Sequence, residues 1–469
     1  MEKDSKITHR EPRLWEALIP VVFLILFIGL TIIKFEGESH IPLILGTCVA
    51  SLMAVRLGYK WKEIEKGLVH GITLGLQACL ILLVIGTLIG SWIIGGIVPA
   101  MIFYGLKLIA PSIFLVTACI ICSLVSLSTG SSWSTAGTVG LALIGIGNTM
   151  GIPAPMVAGA IISGAYFGDK MSPLSDTTNL APATAGTDLF THIRHMVYTT
   201  GPSLVIALIL YTIIGLKYGN VEINSVEVDS MLNTIQSNFN INLWLLIPPA
   251  LVIFMVIFRV PALPALIAGS ILGGILAVVF QGYNVGQVIN AAHSGFVSET
   301  GVAKIDELLT RGGLISMMST ISLIFCALSF GGVMERTGML ECLANAILKM
   351  AVNTGMLVTT TILTCIGFNI ISSDQYISIV IPGRMYRTAY MKRGLHLKNL
   401  SRCLEDAGTL SSPLIPWNTC GAFMAGALGV SPLLYLPFAF LNLINPLVSI
   451  FYGFTGITMH KAEENESVD

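Results

Sequence analysis

Long apolar segments recur along the chain and alternate with short polar connections. A helix needs about 20 predominantly apolar residues to cross a bilayer's hydrocarbon core. Segments of suitable length and composition lie at 17–33, 41–57, 71–96, 193–216, 242–258, 261–280, 313–334 and 432–456. Two further apolar segments, 97–110 and 339–351, are short. Four others, 112–143, 152–182, 355–383 and 404–430, are long but interrupted by Ser, Thr, Asp, Gly or Pro.

The pattern predicts an all-α polytopic membrane protein with about 11–14 membrane passages. There are fourteen passages if every segment crosses, and eleven or twelve if some interrupted segments are re-entrant hairpins. The composition agrees, because 54% of the 469 residues are hydrophobic and only 11% are charged. A soluble domain carries about a quarter charged residues.

Charge and motifs exclude several classes of function. A net charge of -1 gives no basic excess for nucleic acid. The chain lacks a phosphate-binding G-x-x-x-x-G-K-[S/T] motif, metal-ligand spacing among its nine cysteines and a nucleophile–base constellation. We therefore expect a transporter driven by ion gradients, with no cofactor besides the transported ions, and not an enzyme. A membrane enzyme or scaffold is the alternative from another class.

The distribution of basic residues predicts the orientation and a division into two halves. Segment 1–16 and the basic stretch Gly383–Arg402 are expected in the cytoplasm. The first membrane unit is then 17–216, followed by an extracytoplasmic linker, 217–241, a second unit, 242–456, and a tail, 457–469. The counterpart of Gly383–Arg402 in the first unit, Ile144–Ala158, has no charge. This contrast favours two repeats of inverted topology, with chance similarity as the alternative.

The polar stretch Gly168–Asn179 is the first candidate ion site. Pro173 removes a backbone donor and is expected to break the helix between Asp169 and Asp176. Freed carbonyls, the two carboxylates and neighbouring hydroxyls form a hard-oxygen environment that suits Na⁺ or a proton. Two structural alternatives stay open, because Asp169 could pair with Lys170 at the membrane interface and Asp176 could cap a helix.

Hydroxyl-rich and acidic residues at three other positions complete the candidate set. Ser128, Thr129, Ser131 and Ser132 are typical of a re-entrant tip, although such hydroxyls often only bond back to their own helix. In the second half Ser372, Ser373 and Asp374 occupy the equivalent place, and an isolated intramembrane Asp suggests function. Asn418 and Thr419 lie beyond Pro416. Glu405 and Asp406 follow Arg402, so a surface ion pair is equally plausible for them.

The motifs Gly168–Asn179, Ser128–Ser132 and Ser412–Thr419 resemble those of the NhaC-type Na⁺/H⁺ antiporter family of bacteria, over essentially the whole chain. The resemblance implies a secondary antiporter of the cytoplasmic membrane with inverted repeats, paired hairpins and an elevator-like motion. It also implies that some members exchange malate against lactate. The positions carried over are Asp169, Ser172, Asp176, Thr177 and Asn179.

These observations predict a Na⁺/H⁺ antiporter in which Asp169 and Asp176 hold the transported Na⁺. Asp374 is expected to join them in alternating between cation-bound and protonated forms. The alternative is a Na⁺/H⁺-coupled exchanger of small carboxylates of the malate/lactate type. The expected partners are Na⁺, H⁺ and the lipid bilayer, with small carboxylates in the alternative, and analogy with elevator transporters suggests a homodimer.

Overall fold

A computed structural model describes residues 9–35, 37–108, 110–219, 225–258 and 260–462. All five predicted segments fall partly outside these ranges: the N-terminal segment at residues 1–8, the first membrane unit at 36 and 109, the linker at 220–224, the second membrane unit at 259 and the tail at 463–469. Most of the described residues are helical, and their β-structure is limited to two isolated bridges, Phe296 with Arg311 and Leu395 with Lys461. The predicted all-α fold is confirmed.

The first half contains eleven of the described α-helices, and most connections between them are short. Their bounds are α1 Leu14–Phe35, α2 His40–Arg56, α3 Trp61–Ile94, α4 Ile97–Leu108, α5 Pro111–Thr129, α6 Ser132–Thr135, α7 Leu141–Thr149, α8 Ala154–Met171, α9 Asp176–Ala185, α10 Leu189–Gly219 and α11 Ser225–Asn238. A π-helix, Ala136–Gly140, joins α6 to α7 without interrupting the helical path.

The second half contributes the remaining described helices. Their bounds are α12 Ile247–Ile257, α13 Ala262–Val279, α14 Val285–Ser294, α15 Ala303–Leu309, α16 Met318–Arg336, α17 Met339–Leu348, α18 Thr354–Ile371, α19 Gln375–Lys392, α20 Lys398–Leu404, α21 Thr419–Leu428, α22 Pro432–Tyr435 and α23 Phe440–Thr455. A second π-helix, Glu405–Thr409, follows α20. Short 3-10 turns lie at Leu243–Leu246, Leu314–Met317, Ser412–Leu414 and Leu436–Phe438.

Six described helices are long and apolar enough to cross a membrane, namely α1, α3, α5, α10, α16 with its preceding 3-10 turn, and α18. Two bent helix pairs raise the number to eight if each pair is one span. The predicted spans 17–33, 71–96, 193–216 and 313–334 match helices in this set. The predicted total of 11–14 passages also counts shorter apolar helices, such as α2 and α13, and remains a prediction.

Two segments predicted as continuous spans are interrupted. Residues 242–258 form a 3-10 turn and the short α12, and this unit bends by 97° from the end of α11. Residues 432–456 form α22, a 3-10 turn and then α23, and α21 bends by 88° from the first two of these. Pro432 begins α22 and Pro437 follows it, and both lack the backbone donor that a continuous helix requires, whereas the 97° bend lies between Asn238 and Leu243, ahead of Pro248 and Pro249.

Each of the four polar segments contains a helix break, as predicted. The first break follows α5 at Gly130, whose φ of +69° suits glycine. The second lies between α8 and α9, where Ser172 is extended ahead of Pro173. The third, between α18 and α19, contains Ser373 at φ +60°. The fourth follows the Glu405–Thr409 π-helix and ends where α21 begins.

Glycine allows close contact between the helices around these breaks. A Cβ added to Gly164 on α8 would lie 2.1 Å from the carbonyl oxygen of Cys119 on α5. On α3, a Cβ on Gly71 would lie 2.2 Å from the Leu328 carbonyl oxygen on α16. Small residues permit such backbone contact where lipid offers no hydrophobic drive. Gly71 with Gly75 and Gly164 with Gly168 have G-x-x-x-G spacing, and all four lie at these close helix contacts.

We predict that Gly164→Ala destabilises the protein, because its methyl group overlaps backbone that cannot rotate away. Overpacking of this kind costs about 1–3 kcal/mol. The matched control is Gly367→Ala on α18, where nothing lies within 4 Å of the added Cβ. Unfolding of both variants in detergent by graded denaturant should show a lower free energy of unfolding for Gly164→Ala only. Equal behaviour of the two variants would contradict the packing argument.

Asp306 organises the connection between α14 and α16. Its carboxylate accepts hydrogen bonds from the Thr300 hydroxyl at 2.7 Å, the Thr300 amide at 2.7 Å, the Ser298 hydroxyl at 2.8 Å and the Gly301 amide at 3.1 Å. The Thr300 side-chain bond, followed by the other bonds, holds the pKa of the Asp306 carboxyl below its usual value.

We predict that this connection loosens in acid. Because the folded pKa is lowered, the stabilisation is present above the ordinary Asp pKa and is lost as pH falls through the lowered folded value. Hydrogen exchange of residues 296–312 should accelerate in that acidic window in the wild type. Asp306→Asn should exchange faster at neutral pH and lose the pH dependence, whereas Glu299→Gln, which alters an exposed carboxylate of the same connection, should behave as wild type.

Candidate functional site

The four helix breaks meet around one cavity of about 480 Å³. Its wall contains eight of the predicted site residues, drawn from all four breaks: Thr129, Ser131, Ser132, Asp169, Asp176, Thr177, Asp374 and Thr419. The breaks also contact one another directly. The Thr419 amide donates to the Ser373 carbonyl at 2.9 Å, and a Cβ on Gly130 would lie 2.7 Å from Leu174. The polar positions of both halves therefore form a single site.

Asp169 joins the two breaks of the first half. It lies at the end of α8, is buried, and accepts through Oδ2 from the Ser132 hydroxyl at 2.6 Å and the Ser132 amide at 3.2 Å. These donors lie at the start of α6, where backbone N–H groups have no partner within the helix. The interfacial Asp169–Lys170 pair considered above is wrong, because Lys170 turns away from Asp169 to a different carboxylate.

Asp176 is the carboxylate left free for a ligand. It is the first residue of α9, whose N-cap is Ser175, with its hydroxyl accepting from the Thr178 amide at 3.5 Å. The alternative role of Asp176 as the cap is therefore wrong by one residue. Within the described ranges no hydrogen bond reaches the Asp176 carboxylate, and the side chain is exposed to the cavity.

Asp374 caps α19 and also lines the cavity. Its Oδ1 accepts from the amides of Tyr376 at 2.9 Å and Ile377 at 3.0 Å. One carboxylate oxygen thus satisfies the helix start, and no described residue donates to Oδ2. The same side chain can therefore stabilise the break and offer an oxygen to a cation.

The six other predicted site residues lie outside the cavity wall. Their polar atoms mostly serve the breaks. The Ser128 hydroxyl bonds back to the Leu124 carbonyl at 2.8 Å, as the structural alternative for this run allowed. Asn179 donates to the carbonyls of Pro173 and Ser175. The remaining four are Ser172, which accepts from the Leu174 amide, Ser372, which donates to the Phe368 carbonyl, Ser373, whose hydroxyl is buried without a partner among the described residues, and Asn418, which caps α21.

An aromatic contact joins the halves beside the cavity. Trp133 follows Ser132 on α6, and its ring stacks on Phe423 of α21 with centroids 4.2 Å apart and planes 16° apart. A second cavity of about 640 Å³ lies at the other ends of α7 and α21, beside Thr149 and Leu428. The helical run from α6 through α7 and helix α21 thus each extend from the first cavity to the second.

Behind the cavity lies a buried charge cluster that sequence reasoning missed. Lys170 pairs with Asp406, whose Oδ2 lies 3.7 Å from Arg402 Nε, and all three side chains have no exposed surface. Glu405 is equally buried. The surface ion pair considered for Glu405 and Asp406 is therefore wrong. The sequence signal for their burial was their position inside the interrupted apolar segment 404–430.

The model of a family described as the Na⁺/H⁺ antiporter family matches residues 164–457. The chain belongs to this family. It is 41% identical over 448 residues to the malate-2H⁺/Na⁺-lactate antiporter of Bacillus subtilis, covering 95% of this chain and 96% of the relative. It is 40% identical to the Na⁺/H⁺ antiporter NhaC of Alkalihalophilus pseudofirmus, with 95% and 96% covered. It is 37% identical to the arginine/ornithine antiporter ArcD of Halobacterium salinarum, with 98% and 95% covered.

Family membership and the apolar helices establish a multi-pass membrane protein of the antiporter class. The expected resemblance is confirmed. The match to this antiporter family begins on α8 just ahead of Asp169, so it includes three of the four breaks and the buried charge cluster. The relatives' names concern cations, organic anions and amino acids, and the choice between them for this chain depends on the cavity's own chemistry.

We predict that Asp374→Ala lowers the free energy of unfolding by about 0.5–2 kcal/mol through loss of the cap, whereas Asp374→Asn keeps it. Asn353→Ala is the matched control, because Asn353 caps α18 by accepting from the Met356 amide at 2.8 Å, outside the cavity wall. Denaturation in detergent should show similar losses for the two alanine variants. A large loss in Asp374→Asn would show that capping is not the carboxylate's structural role.

Proposed function

We propose that this protein is a secondary active antiporter that exchanges Na⁺ for H⁺ across the cell membrane. One observation carries the proposal: Asp169, Asp176 and Asp374, from three helix breaks, line the same cavity. Ionisable side chains inside membrane proteins are costly, and they are retained where ions pass or protons are relayed.

The cavity's composition favours a cation over an anion. Its described wall contains carboxylates, hydroxyls and amides but no Lys, Arg or His. Oxygen ligands of this kind suit hard cations. Either Na⁺ or a proton can neutralise a carboxylate at this site, and the two therefore compete for it. This competition couples Na⁺ movement in one direction to proton movement in the other.

The arrangement of breaks supports alternating access by two units, 17–216 and 242–456. Each unit supplies two breaks, and the charge contrast between Ile144–Ala158 and Gly383–Arg402 fits opposite orientations. We therefore include an inverted repeat in the proposal, with the cavity between the two units. A homodimer, which the family resemblance implies, belongs to the same proposal and is testable by the mass of the purified protein in detergent.

A second candidate is exchange of small carboxylates coupled to Na⁺ and H⁺. The cavity's volume favours it, because about 480 Å³ falls within the range of sites for small organic ligands. Helix N-termini at the cavity could receive an anion. Several of their donors are already taken, however, by Asp169, Asp374 and Asn418. An anion would therefore bind with Na⁺ bridging it to the aspartates.

We expect Asp176→Asn to reduce Na⁺-driven proton movement by about tenfold or more, because the variant lacks the carboxylate that binds Na⁺. A loss of about 1.4 kcal/mol in binding free energy corresponds to a factor of ten. The assay uses proteoliposomes that are acidic inside, with a pH-sensitive dye reporting proton efflux when Na⁺ is added outside. Glu299→Gln, an exposed carboxylate outside the cavity, is the control. Unimpaired exchange in Asp176→Asn would remove Asp176 from the mechanism.

The same vesicles separate the two candidates. Na⁺-driven proton efflux without any organic anion supports the Na⁺/H⁺ exchanger. Uptake of labelled malate that requires internal lactate, together with no response to Na⁺ alone, would instead select the carboxylate exchanger.

A further inference from the structure

The π-helix Glu405–Thr409 places an acid without a partner directly behind the cavity wall. Both Glu405 carboxyl oxygens are buried and have no hydrogen-bond partner among the described residues. The hydroxyl of Thr409, in the same π-turn, is also buried without a partner. A π-helix inserts an extra residue into a helical turn and frequently marks a functional site. Uncompensated burial of a carboxylate is costly, so this group needs a proton or a cation.

The neighbouring cations are already committed. The Asp406 Oδ1 atom accepts from Lys170 Nζ and from the Thr199 hydroxyl at 3.0 Å, and its Oδ2 atom faces Arg402. Arg402 also donates to the Thr458 hydroxyl at 2.8 Å. Both buried cations, Lys170 and Arg402, therefore pair with Asp406, and neither is a direct partner of Glu405. A bound proton is the simplest way to keep Glu405 neutral.

Glu405 also lies within electrostatic reach of the cavity. The charged or titratable groups that face it are Asp169 and Lys170 on α8 and Cys365 on α18, with Asp406 beside it in the chain. The other elements packed against the turn present uncharged polar groups: Thr177 on α9, Ser378 on α19 and Asn442 on α23. Thr177 lines the cavity, and its hydroxyl lies 3.2 Å from that of Ser175, another wall residue.

We propose that Glu405 is a second proton site of the exchanger, separated from the cavity by Thr177 and coupled to its occupancy. This inference rests on the proposed Na⁺/H⁺ exchange and adds a site to it. When Na⁺ enters beside Asp169 and Asp176, its positive charge favours the ionised form of Glu405. The O–H bond of Glu405 then breaks, and the proton passes by way of the Thr177 and Ser175 hydroxyls to water in the cavity. This proton leaves in addition to the one that Na⁺ displaces from the aspartates, and Glu405 remains as the carboxylate.

Two measurements on the full-length protein in detergent test this site. Binding of ²²Na⁺ is measured as a function of pH, and protons released on adding NaCl to weakly buffered protein are counted with a pH dye, with choline chloride as the blank. We expect Glu405→Gln to bind Na⁺ and to release about one proton fewer per bound Na⁺, with a correspondingly flatter pH dependence of Na⁺ affinity. Glu299→Gln should match the wild type in both measurements.

Two results with Glu405→Gln would overturn the proposal. One is an unchanged proton count. The other is loss of ²²Na⁺ binding in the folded variant, which would make Glu405 a Na⁺ ligand. If Glu405→Gln does not fold, Glu405→Asp decides: it should retain the full proton count with a shifted pH midpoint, and a midpoint identical to that of wild type overturns the proposal. Failure of the wild type to bind Na⁺ would instead refute the Na⁺/H⁺ exchange itself and the Glu405 site with it.

Discussion

Backbone groups exposed by a broken helix must find partners inside the protein, because the bilayer supplies none. This constraint shapes the whole site. Asp374 accepts hydrogen bonds from two backbone amides at the start of α19. Asp169 accepts one from an amide at the start of α6, and Asn418 accepts one at the start of α21. The polar side chains that satisfy the breaks are thus also the ones that line or border the cavity. The same side chains therefore stabilise the breaks and offer oxygens to an ion.

The sequence predicted those features that depend on local chemistry. Pro173, Pro248 and Pro432 act on their own helix, and so the break at Pro173 was predictable without tertiary contacts. The same rule applies to 432–456, where Pro432 and Pro437 stand within a mostly apolar segment. The cap of α9 was misplaced by one residue, because Ser175 and Asp176 are both good caps and only the backbone path selects between them.

Contacts between residues far apart in the chain could not be predicted from local chemistry. Lys170 and Asp406 are 236 residues apart in the chain, and Asp169, the chain neighbour of Lys170, is an equally good partner by sequence alone. Composition gives no account of which of two acids a buried lysine will select. That Asp169, Asp176 and Asp374 share one site was a hypothesis from the sequence. Only the fold shows that their three breaks meet at one cavity.

The ring stack of Trp133 on Phe423 has a consequence for leakage. The helical run from α6 through α7 and helix α21 both extend from the cavity with the three aspartates to the second cavity. The stacked aromatic faces offer no oxygen ligand to a hydrated ion, so an ion moving directly between the two cavities would have to part the rings and shed its water. We therefore expect the stack to oppose direct leakage between the cavities.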